Sequence, residues 1–117
     1  MLSRIPRAEE ARIDPRKLRE YALNPGHESG RFKAFFFAQM GYQAADWERL
    51  EQEIRAQHLS QNALPGQPSP YGVKYTITAP LIGPSGEERW VTTVWIVRPG
   101  EDRADLVTIT PAARRKE

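Results

Sequence analysis

The sequence of 117 residues contains no cysteine. That excludes disulfides, thiolate metal sites and a cysteine nucleophile, and it fits an intracellular setting. Histidine is scarce too. His27 and His58 are the only two, and they form neither an H-x-x-x-H nor an H-E-x-x-H spacing, so neither a metal nor another cofactor is expected. There is no G-x-x-x-x-G-K-S/T phosphate loop and no G-x-S-x-G nucleophile elbow. No apolar run approaches the ~20 residues of a membrane span. Residues 1–20 mix basic and acidic side chains where a secretory signal would be apolar. Charge of one sign does not dominate either, with 17 basic against 15 acidic residues. The expectation is a soluble, cytoplasmic, single-domain protein with one modest core and no membrane contact.

The chain does show an order of patterns. Residues 1–13 have no clear period and read as a basic irregular arm, residues 14–111 as one domain, and residues 112–117 as a basic tail. Asp14–Pro15 is a helix start, with Leu18, Tyr21 and Ala22 on one face and Asn24–Pro25–Gly26 as the stop. Ser29 is placed to cap a second helix ending at Gly41, whose apolar stripe is read as Phe32, Phe35, Phe36 and Met40. A third helix runs from Ala44 to His58 with Trp47, Leu50 and Ile54 facing inward, and His58 reads as a favourable charge at its end. Residues 60–70 form a connector rich in Ser, Gln, Asn, Gly and Pro. The period then becomes two over residues 71–79, 89–98 and 106–110, with turns at Gly83–Pro84–Ser85–Gly86 and Pro99–Gly100–Glu101–Asp102. Helices followed by an antiparallel meander of at least three strands predict an α+β fold, with the helices packed on one face of the sheet.

Two features carry candidate chemistry. The turn Asn24–Pro25–Gly26–His27–Glu28–Ser29–Gly30–Arg31–Phe32–Lys33 breaks into a helix, and it brings a histidine, an arginine and a lysine to that helix N-terminus. Backbone N–H groups and added cations there attract phosphate, and a histidine moves protons near neutral pH. The second feature is the sheet. Alternation assigns Tyr75, Ile77, Val94, Ile96, Val107 and Ile109 to the core face. Lys74, Thr76, Thr78, Thr93, Trp95, Thr108 and Thr110 then fall on the opposite face. Such a surface suits a nucleotide, with hydroxyls for phosphate and rings such as Trp95, Tyr71 or Tyr75 for a base. Threonine also favours the solvent side of strands for purely structural reasons, and a one-residue bulge would change the assignment. Together these residues are enough for RNA cleavage. His27 would transfer protons, Arg31 and Lys33 would hold phosphate, and Thr93 or Thr108 would donate a hydrogen bond to it.

Leu23–Asn24–Pro25–Gly26–His27, Gly30–Arg31–Phe32–Lys33–Ala34–Phe35–Phe36, Met40–Gly41–Tyr42, Tyr71–Gly72–Val73–Lys74–Tyr75, Val94–Trp95–Ile96–Val97, Pro99–Gly100 and Leu106–Val107–Thr108 together resemble one bacterial domain family without an assigned function. Its members resemble both small stand-alone proteins and the C-terminal domains of polymorphic toxins. The order of helices and sheet also resembles, at the level of fold, the small ribonuclease toxins that include barnase, RelE and the colicin tRNA nucleases. That resemblance implies His27, Lys33, Trp95 and Thr108 as a site, with RNA as substrate and an inhibitor protein encoded nearby as partner. The chain departs from those enzymes in lacking a second well-placed histidine or an obvious catalytic glutamate. Two functions stay open. One is a toxin-like ribonuclease working by acid–base chemistry without a metal, with His27, Lys33 and Thr108 as catalytic residues and Arg31, Lys74, Tyr75, Thr93 and Trp95 holding substrate. The other is a non-catalytic module that grips protein or nucleic acid on the polar sheet face.

Overall fold

A computed structural model describes residues 3–26 and 31–112, and for Arg31 the backbone alone. Asp14 and Pro15 open the first helical segment as their chemistry requires. The Asp14 carbonyl accepts from Lys17 N at 2.9 Å and its carboxylate from Arg16 N at 2.9 Å. Lys17–Ala22 then winds as a π-helix, closed by the Leu23 amide donating to Leu18 O. Helix α1 spans Arg31–Gln39, and α2 spans Trp47–Gln57 after a single 3₁₀ turn at Ala44–Asp46. Asp46 accepts the Gln43 amide at 2.8 Å, the reciprocal half of a capping box. Strands β1 (Leu64–Pro65), β2 (Val73–Ile82), β3 (Glu88–Val97) and β4 (Asp105–Pro111) form one antiparallel sheet in chain order. The architecture is α+β, with helices mostly early in the chain and the meander late.

Helix α1 buries a different stripe from the one the sequence suggests. Ala34, Phe37 and Met40 face the core, while Phe32 is 82% and Phe35 is 65% exposed and Phe36 is half-buried. The run Ala34–Phe35–Phe36–Phe37–Ala38 is apolar on every side of the helix, so periodicity alone cannot choose a face. Packing chooses Phe37, whose ring meets Phe36 and Tyr42 edge-on at 5.2 and 6.3 Å. In α2 the expected Leu50 and Ile54 are buried, with Trp47 packed against the core.

The sheet faces also need correcting. Tyr75 pairs with Trp95, Ile77 with Thr93 and Ala79 with Val91, and directly paired residues share a face. Buried Ile77, Ala79, Val91, Thr93 and Trp95 therefore form the core face together with Leu106 and Ile109. Val94 and Ile96 point the other way, beside Thr76, Lys74 and Thr108. Strand β3 has bulky apolar residues in both alternations, and a side chain as large as Trp95 yields most when buried. A bulge adds a further break. Val94 pairs with Thr108 but Trp95 pairs with Leu106, which leaves Val107 as an extra residue outside the ladder. Trp95 and Thr108 consequently lie on opposite faces of the sheet.

Burying Thr93 requires partners, and His58 provides one. His58 is fully buried, with Nδ1 2.9 Å from Thr93 Oγ1 and Nε2 3.2 Å from the Ala79 carbonyl. Trp95 Nε1 donates to Thr93 Oγ1 at 2.9 Å. The chain of donors closes if Thr93 gives its hydroxyl proton to Nδ1 and Nε2–H donates to Ala79 O. His58 is thus a neutral core residue and not a charged helix end. Burial pushes its pKa from 6.5 down to about 4.

The stretch drawn as an arm packs into the same core. Ile5, Ala8, Ala11 and Ile13 are buried, and Arg12 exchanges backbone hydrogen bonds with Ala104 and Leu106. Its guanidinium clamps Asp105 and Glu101. The N-terminal segment thereby covers the start of edge strand β4 and leaves its later part, from Val107 on, to the helices.

Candidate functional site

The later part of β4 forms one wall of a cleft of about 230 Å³, lined by Lys17, Tyr21, Ala22, Lys33, Val107, Thr108 and Ile109. Thr108 and Ile109 belong to opposite sheet faces, so the cleft runs along the strand's edge. Lys33 reaches in from α1, and its Nζ donates to Thr108 Oγ1 at 3.1 Å. Burial lowers the Lys33 pKa from its ordinary 10.5, because a partly desolvated ammonium loses hydration that a single hydroxyl cannot replace. Among the described residues no carboxylate lines the cleft, and neither Lys17 nor Lys33 makes an ion pair. The arginines nearby are already engaged: Arg12 and Arg98 share Asp105, and Arg16 pairs with Asp14. The cleft presents two lysines, Lys17 and Lys33, beside the Thr108 hydroxyl. Its volume falls below the ~300–1,000 Å³ of sites that enclose a whole small molecule, so it suits one charged group of a longer ligand.

The residues proposed from sequence therefore separate. Lys33 and Thr108 come together. Lys74 is exposed on the same sheet face as Thr108, across β3. Thr93 and Trp95 are withdrawn into the core, and Tyr75 packs against it, so these three do not line the open face. His27 lies outside the described residues, as does the side chain of Arg31. Sequence reasoning missed Lys17 and Tyr21. Their spacing of four residues after Asp14–Pro15 places them on one side of the first helical segment, and that was the available signal. The open face does keep its hydroxyls. Thr76, Thr78, Thr92, Thr108 and Thr110 are half-buried there, with Thr78 and Thr92 bonded through their hydroxyls at 2.9 Å. Trp90, paired with Pro80, is the indole on that side. Among the described residues no group of three or more His, Asp or Glu side chains is placed to hold a metal ion, and no helix is long and apolar enough to cross a membrane.

Fold and site define a small α+β domain with a cationic cleft at the edge of its meander. Residues 4–113 match a family described as "Domain of unknown function (DUF6883)". The chain belongs to that family, and the match includes the N-terminal segment that covers β4. No curated protein and no solved structure matches the chain.

Proposed function

We propose that the chain is a toxin-like domain that binds RNA through its phosphodiester backbone and cleaves it by side-chain acid–base chemistry, under the control of an inhibitor protein encoded nearby. The observation that supports this most is the Lys33–Thr108 contact, 3.1 Å long, inside a cleft that no carboxylate lines among the described residues. In this reading the ribose 2′-oxygen forms a bond to phosphorus as the bond to the 5′-oxygen breaks. The 2′-hydroxyl proton passes to a base, and a proton is supplied to the leaving oxygen. Lys33 stabilises the charge that develops on the phosphorane oxygens, and Thr108 fixes the ammonium and one of those oxygens. His27, just ahead of α1 in sequence, is the proton carrier. Lys17 supplies a second positive charge at the cleft mouth.

One finding favours the rival reading, a binding module. His58 is locked in the core through both ring nitrogens, so it cannot act as the second proton carrier. The test is incubation of the purified protein with RNA, followed by analysis of product ends. Cleavage that leaves 2′,3′-cyclic phosphates and falls by ~100-fold or more in Lys33→Ala supports the proposal. RNA bound but left intact by folded protein would reject cleavage and keep the binding module.

A further inference from the structure

The Lys33 cleft does not end at Val107. This bulged residue also lines a second hollow, of about 580 Å³, whose other walls include Ser69, Tyr71, Lys74, Ile96 and Arg98. The two hollows thus share one lining residue at the edge strand β4. Among the described residues neither is lined by a carboxylate. On the walls of the second, Arg98 is paired with Asp105, while Lys74 is exposed and, among the described residues, makes no ion pair.

Tyr71 is the unusual member. The residue is 78% exposed, yet its backbone is tied down. Ser69 and Gly72 exchange both backbone hydrogen bonds at 3.0 Å, and Tyr71 N donates to Ser69 Oγ at 3.1 Å. Gly72 has φ 125° and backs directly on β3, where a Cβ would lie 2.2 Å from the Val97 carbonyl oxygen. Only glycine fits that approach. An exposed aromatic side chain on a hydrogen-bonded turn, lining one hollow together with a lysine that makes no ion pair among the described residues, has the parts of a base-stacking platform.

We infer that this hollow is a subsite for single-stranded nucleic acid: Tyr71 stacks on a base and Lys74 holds a phosphate of the same strand that is seated at Lys33. The inference rests on the RNA reading of the Lys33 cleft and extends it to the class of substrate. A duplex hides the faces of its bases, so a stacking ring selects an unpaired strand. A strand that fills both hollows passes over Val107, so in this reading a mononucleotide is a poor ligand.

The experiment measures binding of a labelled, 2′-O-methylated RNA oligomer, which lacks the attacking hydroxyl and cannot be cleaved. Single strand and duplex are compared for wild type, Tyr71→Ala, Tyr71→Phe, Lys74→Ala and Lys33→Ala. Wild type should prefer the single strand. Tyr71→Ala should weaken that binding by ~5-fold to ~100-fold, Tyr71→Phe should restore it, and neither should change duplex binding. Lys74→Ala should lower the salt slope by about one phosphate contact. Tyr71 buries no core surface, so the variants should keep the wild-type melting temperature. If Tyr71→Ala binds like wild type while Lys33→Ala is weakened, the subsite is wrong and the Lys33 reading survives. If the folded wild type binds neither strand form, both fall, and a peptide ligand becomes the explanation of the exposed ring.

Discussion

Acid should weaken this domain through one residue well before its carboxylates are protonated. His58 stays neutral in the fold because its ring is buried and both its nitrogens are committed, to Thr93 and to the Ala79 carbonyl. Adding a proton at Nδ1 would take away the acceptor of the Thr93 hydroxyl proton, leaving Oγ1 to accept from both His58 and Trp95, and would place a charge in the core. With a folded pKa of about 4 against 6.5 in the unfolded chain, the unfolded chain takes up the proton first. Stability is therefore whole above pH 6.5, declines as the pH falls toward 4, and levels off below that as far as His58 is concerned. At about 1.4 kcal/mol per pH unit the loss sums to about 3 kcal/mol, a large part of the ~5–15 kcal/mol that holds a typical domain. The Asp14 carboxylate, held near 2 by its hydrogen bonds to Arg16, loses its contribution only at lower pH, so the two windows separate. The assay is urea unfolding from pH 7.5 to 4.5 for wild type and His58→Gln, read by tryptophan fluorescence. Wild type should keep its stability down to about pH 6.5 and lose it steadily from there to pH 4.5, and His58→Gln should start less stable but show a nearly flat profile. A flat wild-type profile, or a His58 ring that titrates near 6.5 by NMR, would refute the buried-neutral assignment.

Other substitutions test packing and polar pairing. Phe37→Ala should destabilise by ~3–5 kcal/mol through lost burial and a cavity, whereas Phe32→Ala on the same helix should change stability by less than ~0.5 kcal/mol; thermal unfolding of both reads the phase of α1 directly. Thr93→Val keeps the volume but strips the Trp95 N–H and His58 Nδ1 of their shared partner, and denaturant unfolding should show a loss of ~2–4 kcal/mol. Gly72→Ala should disrupt the hairpin that carries Tyr71, seen as lost hydrogen-exchange protection at the Val97 end of β3.

Much of the fold was legible because its signals are local. Asp14–Pro15, the 3.6-residue spacing of Trp47, Leu50 and Ile54, and the turns at Gly83–Gly86 and Pro99–Gly100 each specify backbone geometry with nearby residues. Long-range choices were not legible. The two faces of β3 are both apolar enough to be buried, so the decision rests on what lies across the sheet: Ile77 and Ile109 beside Thr93, and His58 from α2 waiting to bond it. The burial of threonine, against its composition, depends on a histidine distant in sequence. The bulge at Val107 is likewise invisible in an unbroken run of β-formers. Lys33 and Thr108 were named from the sequence for their chemistry, but their meeting depends on α1 lying against β4. Lys17 and Tyr21 entered the cleft with the first helical segment, which packs on the same strand.

The most direct test of the phosphate-binding reading is the titration of the Lys33 ammonium itself, followed by heteronuclear NMR of labelled lysine side chains with Lys33→Arg to assign the resonance. The free protein should show Lys33 titrating below the ordinary lysine range, because burial penalises its charge. Addition of the non-cleavable single-stranded RNA should raise that pKa by an amount that disappears in high salt, since a bound phosphate favours the charged form. A Lys33 that titrates like a free lysine and does not respond to RNA, while the protein remains folded, would contradict the account.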